Sequence, residues 1–372
     1  MKPTLLPRLC LLFLAAALFL TGCGKSKAEQ AVIEELDLIK ELDEETITSF
    51  VSYEDMVHSG TSVSEIGPET TEAVQLFFKN FDYKILSCEI ENDIAEVTVR
   101  ITNLDMQSLA KDLCLELTRR SANPLEETSD LSMNDYFSLL GKVIKENSYK
   151  ILSTDAVFET AKLPDGSWTI QNTDSLEDSL VSGFLTYLHD PYLLTPEEVL
   201  TATFDYFLDF TPKNWITYLD MNDIFSTGSS ISDEIDLELA NQIAGFFQYE
   251  IEGSSVQGDS AQVTVSITSL DLSSVLESYR EKLLEYASTT EAVRATDSEL
   301  AEKTAQILYT CLQENDASAS HSLTLSFDNN GSSWEMSLDS AFTNAILGDL
   351  TGAVEVFSGE NETETDTDLT ET

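Results

Sequence analysis

Positive charge is what this chain has least of. Its 372 residues include 20 lysines and arginines against 67 aspartates and glutamates, for a net charge of −47. A field of that sign repels nucleic acid and anionic lipid headgroups, which excludes both as partners. Histidine occurs three times, at His58, His189 and His321. Five cysteines are too few and too irregularly spaced for a disulfide framework or a structural zinc site. Cys88, Cys114 and Cys311 read as buried thiols, with a Cys88–Cys114 bridge as the alternative in an oxidising compartment. No G-x-S-x-G, no H-E-x-x-H and no phosphate-cradling glycine loop is present, so nucleophilic or metal-dependent hydrolysis has no visible apparatus. An apolar fraction of 42% is ordinary for folded chains and argues against wholesale disorder.

The N-terminus departs from the acidic trend. Lys2 and Arg8 precede an apolar stretch from Leu9 to Leu20, too short for a comfortable transmembrane helix. Leu20-Thr21-Gly22-Cys23 follows and resembles the lipobox of bacterial lipoproteins. The resemblance implies that residues 1–22 are a signal peptide and that the Cys23 thiol takes a diacylglyceryl group. Small side chains suit the peptidase, and the thiol is the one strong nucleophile there. Two acyl chains, at about 0.8 kcal/mol per buried CH₂, anchor stably where one is marginal. Removing Lys2 and Arg8 leaves 18 basic residues against 67 acidic ones. The expected address is the extracellular face of the cell membrane of a Gram-positive bacterium, reached through the lipid alone.

The rest of the chain reads as a duplication. Shifted by 166 residues, Ala95-Glu-Val-Thr-Val-Arg-Ile-Thr-Asn-Leu-Asp105 falls on Ala261-Gln-Val-Thr-Val-Ser-Ile-Thr-Ser-Leu-Asp271, with eight of eleven positions identical. The same shift sets Ser167-Trp168 on Ser333-Trp334, and a shift of 165 sets Val51–Met56 on Ile216–Met221. Phe77-Phe78 meets Phe246-Phe247 after a three-residue length change. A period this long is domain-sized and excludes a solenoid.

Reading the copies together predicts their elements. Val97, Val99 and Ile101 alternate with Thr98, Arg100 and Thr102, the period of a half-buried strand. Asp105 and Asp271 follow as helix caps. A second helix is expected near 132–147 and 298–314. A hairpin then runs from Tyr149 to Ala161 through Pro164-Asp165-Gly166 to Trp168–Gln171. Its counterpart runs from Ser322 to Phe327 through Asp328-Asn329-Asn330-Gly331 to Trp334–Leu338. One short helix closes each copy, near 175–187 and 340–350. Thr195-Pro196 and Thr211-Pro212 are cap-plus-first-turn pairs opening helices of the second copy.

Strands cluster in pairs instead of alternating with helices, so the fold class is α+β with an antiparallel sheet in each of two tandem domains. The expected domains are 28–190 and 195–352, preceded by a lipidated tether at 23–27 and followed by an acidic disordered tail at 359–372. Lipobox, V-T-V-x-I-T-x-L-D and the closing Asn344–Leu350 together resemble Gram-positive surface lipoproteins carrying a tandem domain of unknown function. The arrangement is also similar to cystatin-like and nuclear-transport-factor-2-like folds, which implies a sheet wrapped around helices.

Few residues carry a site reading. Trp168 and Trp334 are candidate stacking platforms, and core packing is the competing account. Thr98 and Thr264, with Thr102 and Thr268, lie opposite the valines and would line a pocket if the sheet curves around one; plain solvent exposure is the competing and favoured account. Asp328–Ser332 has the composition of a calcium loop but lacks the distal bidentate glutamate, so it reads as a turn. The three histidines do not recur between copies and read as loop or edge residues. No cofactor and no metal is expected. The function expected is a membrane-anchored, non-enzymatic, monomeric binding module for an extracellular protein or small ligand. The alternatives are a solute-binding component of an importer and a pocket enzyme on a nuclear-transport-factor-2-like fold.

Overall fold

The computed structural model describes residues 26–42, 67–122, 131–171 and 174–358. Cys23 and the signal segment, Val51–Met56, His58 and the tail from 359 lie outside the described residues. The chain divides into two compact units, with the main division between Leu194 and Thr195.

The first unit contains α1 (Lys27–Lys40), α2 (Pro68–Phe78), β1 (Asp82–Glu91), β2 (Ile94–Leu104), α3 (Met106–Ser121), α4 (Met133–Glu146), β3 (Ile151–Lys162), β4 (Trp168–Ile170), α5 (Asp174–Leu180) and α6 (Phe184–Leu188). The second contains α7 (Pro196–Leu208), α8 (Pro212–Tyr218), α9 (Ser232–Phe246), β5 (Gln248–Gln257), β6 (Ser260–Leu270), α10 (Leu272–Ala287), α11 (Thr290–Arg294), α12 (Asp297–Glu314), β7 (Ser318–Asn329), β8 (Trp334–Ser337), α13 (Ser340–Ile346) and α14 (Leu350–Ser358). The class is α+β. Each unit holds a four-stranded sheet in simple sequential order, β1-β2-β3-β4 and β5-β6-β7-β8, with every pairing antiparallel. Parallel β-α-β lobes, which the importer alternative requires, are not among these elements.

Alternation builds each sheet. Val97, Val99 and Ile101 are fully buried, as are Val263, Val265 and Ile267. In the first unit these residues meet Val32, Leu36 and Ile39 of α1 and Leu176 and Leu180 of α5, with Phe158 between them. A second cluster joins Ala73 and Phe77 of α2 to Leu109 and Leu113 of α3 and Leu140 and Val143 of α4. Gly141 lets α2 and α4 approach closely, since a Cβ there would lie 3.2 Å from that of Ala73. The second unit replaces much of its aliphatic core with rings. Phe204, Phe207, Trp215, Phe247 and Phe342 contact one another at centroid separations of 5.2–6.3 Å. Among the described residues no helix is long and apolar enough to cross a membrane.

Capping fixes the helix starts. Thr195 and Thr211 each form a capping box, with Glu198 and Asn214. Asp271 accepts from Ser274 N–H at 3.0 Å, and Asp105 from Ser108 N–H at 3.2 Å. These are the orphan donors of a first helical turn.

Three expectations need correction. The closing helix of each copy is two helices, because the chain passes through a left-handed glycine, Gly183 at φ +85° and Gly348 at φ +74°. At Gly348 a Cβ would lie 2.4 Å from the Leu270 carbonyl oxygen, so only glycine fits the turn. The long hairpin strands begin at Ile151 and Ser318, not at Tyr149 and Ser322. Finally, Phe247 immediately precedes β5 and matches Phe81, which immediately precedes β1, at the same 166-residue shift. The apparent match to Phe78 came from the repeated aromatic pair, not from equivalent backbone.

Candidate functional site

In each unit the helices cover one face of the sheet, and residues pointing the other way stay open. On the first outer face Arg100 of β2 grips Asp155 of β3 through Nε–Oδ1 at 2.7 Å and Nη2–Oδ2 at 2.9 Å. Thr102 and Ser153 pair hydroxyl to hydroxyl at 2.8 Å, and the equivalent Thr268 and Ser320 at 2.7 Å. Thr264 meets Thr324 at 3.2 Å, whereas Thr98 stands opposite the apolar Val157. The four threonines therefore line an open sheet face, partly screened by their cross-strand neighbours. The Arg100–Asp155 fork holds the Asp155 carboxyl below the ordinary carboxylate range.

The two tryptophans do not meet the threonines. Trp168 is half-buried against the α1-facing core, and Trp334 is only 5% exposed, so its ring is not presented at the surface. His189 lies at the end of α6 with Nδ1 2.6 Å from the Leu185 carbonyl. His321 stands opposite Ile267 on the helix-covered side of its sheet, and its Nε2 is buried with no hydrogen-bond partner. Asp328 accepts from Ser260 Oγ, and Asn330 donates to Glu335, within a reversal completed by Gly331 at φ +83°. No group of three or more His, Cys, Asp or Glu side chains able to hold a metal occurs among the described residues.

Cys88, Cys114 and Cys311 are thiols, and no disulfide joins them. Burial pushes the Cys114 thiol up to about 11, which suppresses the thiolate needed for nucleophilic chemistry.

Sequence reading missed two features. Glu35 lies on the core-facing side of α1, its Oε1 is buried without a partner, and burial raises its carboxyl to about 8. Nothing in its acidic surroundings, Glu34-Glu35-Leu36-Asp37, marks it apart from a solvated neighbour; only its helical phase with Ala28 and Val32 does. The second feature is a repeated bond. Tyr83 of β1 donates to Asp37 of α1 at 2.6 Å, and Tyr249 of β5 donates to Asp205 of α7 at 2.6 Å. The tyrosines are 166 residues apart and the aspartates 168, a signal present in the sequence.

Residues 213–350, inside the second unit, match the family model of a domain of unknown function, DUF5105. No curated protein matches the chain. Among solved structures the chain is similar to a Bacillus subtilis protein provisionally classed as a lipoprotein, ycdA, at 11% identity. That likeness covers 72% of this chain and 94% of the other with a TM-score of 0.26, too low to establish a common fold.

Proposed function

We propose that this chain is a surface lipoprotein, held on the outer face of the membrane by a diacylglyceryl group on Cys23. Its two folded units serve as non-enzymatic binding modules. The observation that carries the reading is Leu20-Thr21-Gly22-Cys23, placed directly behind a basic and then apolar N-terminus. The large negative charge supports attachment through lipid alone, since an acidic surface gains nothing from anionic headgroups. The open sheet faces support binding without turnover: they offer hydroxyls, one ion pair and apolar side chains on rigid strands. In its finer form the proposal makes each unit cystatin-like in plan, a helix laid across a sequential four-stranded sheet, with helices inserted between the second and third strands, α3 and α4 in the first unit and α10, α11 and α12 in the second.

The test is metabolic labelling with a fatty acid in intact cells. The native chain takes up label and fractionates with membranes. Cys23→Ala loses both, appearing in the medium or as unprocessed precursor. Label that persists in Cys23→Ala contradicts the proposal.

A further inference from the structure

The third strand of the first sheet is much longer than its neighbour. β3 runs for 12 residues and β4 for three, pairing only at Thr160–Ile170, Ala161–Thr169 and Lys162–Trp168. On the β4 side Gln171 N–H donates to Glu159 O at 2.7 Å and Leu163 N–H to Ser167 O at 2.8 Å. On the β2 side Lys162 N–H donates to Asp93 O at 2.8 Å. No bulge interrupts the register with β2, so the odd-numbered residues of β3 direct their backbone away from β2 throughout. Ile151, Ser153, Asp155 and Val157 therefore aim N–H and C=O groups along an edge that no strand among the described residues covers. Ile151, Leu152 and Val157 are 49%, 47% and 53% exposed there.

Exposed edges are usually defended. β1, the other edge of this sheet, carries Lys84, Glu89 and Glu91 and a bulge between Ile85 and Ser87. The edge of β7 matching the open part of β3 presents Ser318, Ser320, Ser322 and Thr324 with nothing apolar among them. The β3 edge lacks these defences, and its only charge, Asp155, is held by Arg100 of the same sheet.

We infer that this edge pairs with the same edge of a second copy, joining two first-unit sheets into one. The segment Ile151-Leu-Ser-Thr-Asp-Ala-Val157 is chemically symmetric about Thr154. Antiparallel pairing about that residue sets Ile151 against Val157, Leu152 against Ala156, Ser153 against Asp155 and Thr154 against itself. The odd residues then face odd residues, so every open N–H and C=O finds a partner, and apolar side chains meet across the seam. No other register of the strand on itself gives this match, and no like charges oppose each other. This departs from the monomer expected of the sequence. Strand pairing alone buries less than the roughly 1,200 Å² of a standard interface, so the dimer is weak in dilute solution, with a dissociation constant of order 10 μM. The general charge repulsion between copies makes it tighten as salt is raised.

The test is sedimentation equilibrium of the mature chain carrying Cys23→Ala. It should be dimeric at about 100 μM. Ser153→Pro, which removes an edge-directed N–H and no bond of the sheet, and Val157→Lys should both be monomeric with unchanged far-ultraviolet dichroism. Ser320→Pro, the matched change in β7, should leave the dimer intact. Register is read by cross-linking: at the symmetry point Cα atoms lie about 4.5 Å apart, within disulfide reach, so Thr154→Cys forms a linked dimer on oxidation. Ser153→Cys, facing Asp155, does not. A monomer at that concentration, a dimer that survives Ser153→Pro and Val157→Lys, or equal cross-linking by Thr154→Cys and Ser153→Cys would each overturn the inference.

Discussion

The hydroxyl of Tyr83 donates to the carboxylate of Asp37 at 2.6 Å, tying the first strand of the first sheet to the helix laid across it. Tyr249 and Asp205 repeat the bond at 2.6 Å in the second unit. Burial, and then the neighbouring aspartate, raise both tyrosines above the ordinary phenol range. A raised pKa in the folded state means that the stabilisation is fully present below the unfolded value, about 10, and is lost as pH rises above it. Thermal melting should therefore fall more steeply between about pH 9.5 and 11.5 for the native chain than for Tyr83→Phe with Tyr249→Phe. At neutral pH the double variant should melt lower, each lost bond costing about 1 kcal/mol. Identical pH profiles would show that the bonds do not form.

Glu35 behaves in the same direction in a lower window. Its carboxyl is raised from 4.5 to about 8 by burial, so the protonated form is favoured in the fold. The stability it supports is complete below about pH 4.5 and is lost as pH rises through 8. Glu35→Gln keeps the shape and removes the charge. It should raise stability at pH 8–9 by about 1 kcal/mol, a modest figure because the group is partly exposed to water, and should be neutral near pH 5. Denaturant melts of both proteins at the two pH values check it; a destabilised Glu35→Gln at high pH would mean that the carboxylate has a favourable partner.

The turn at Gly348 has no room for a side chain. Gly348→Ala places a Cβ 2.4 Å from Leu270 O in a residue at φ +74°. It should cost about 2 kcal/mol or more, and Gly348→Asn, which tolerates the dihedral but not the contact, should recover little. Gly166→Ala, at φ +83° with open space around it, should cost only the dihedral strain of about 1 kcal/mol. A smaller loss at Gly348 than at Gly166 would contradict the close approach.

Phe207 is fully buried and touches Phe204, Phe210, Trp215, Tyr218, Phe247 and Phe342. Phe207→Ala should cost about 3–5 kcal/mol. Ile39, related to Phe207 by the 168-residue shift that relates Asp37 to Asp205, packs in a mostly aliphatic cluster that also holds Phe81 and Phe158, and should lose about 2–5 kcal/mol as Ile39→Ala. A denaturant melt with separate unfolding steps would show whether each loss stays within its own unit.

What the sequence made legible was whatever recurs. Ala95–Asp105 and Ala261–Asp271 are strands ending in helix caps in both units, and β1–β2 and β5–β6 share register at the 166-residue shift. The bulge falls at equivalent places, between Ile85 and Ser87 and between Ile251 and Gly253. That bulge was not legible, because Leu86 and Glu252 share no chemistry. The broken closing helices were missed because an apolar run flanking a single glycine, as at Leu347-Gly348, reads as continuous helix until the neighbouring strand end is in view. The open edge of β3 was half legible: the hairpin lengths, Tyr149–Ala161 against Trp168–Gln171, already leave the first half of the long strand uncovered, but which residues aim their backbone outward and how exposed Ile151 and Val157 are emerge only from the register. Trp334 was legible as a repeated residue, but only the packing shows its ring facing inward.

The most direct measurement of the central claim is mass spectrometry of the N-terminal peptide of the protein extracted from cell membranes. The account predicts that the first residue is Cys23 and that its sulfur carries the added mass of a diacylglyceryl group. A peptide beginning elsewhere, or beginning at an unmodified Cys23, would contradict it.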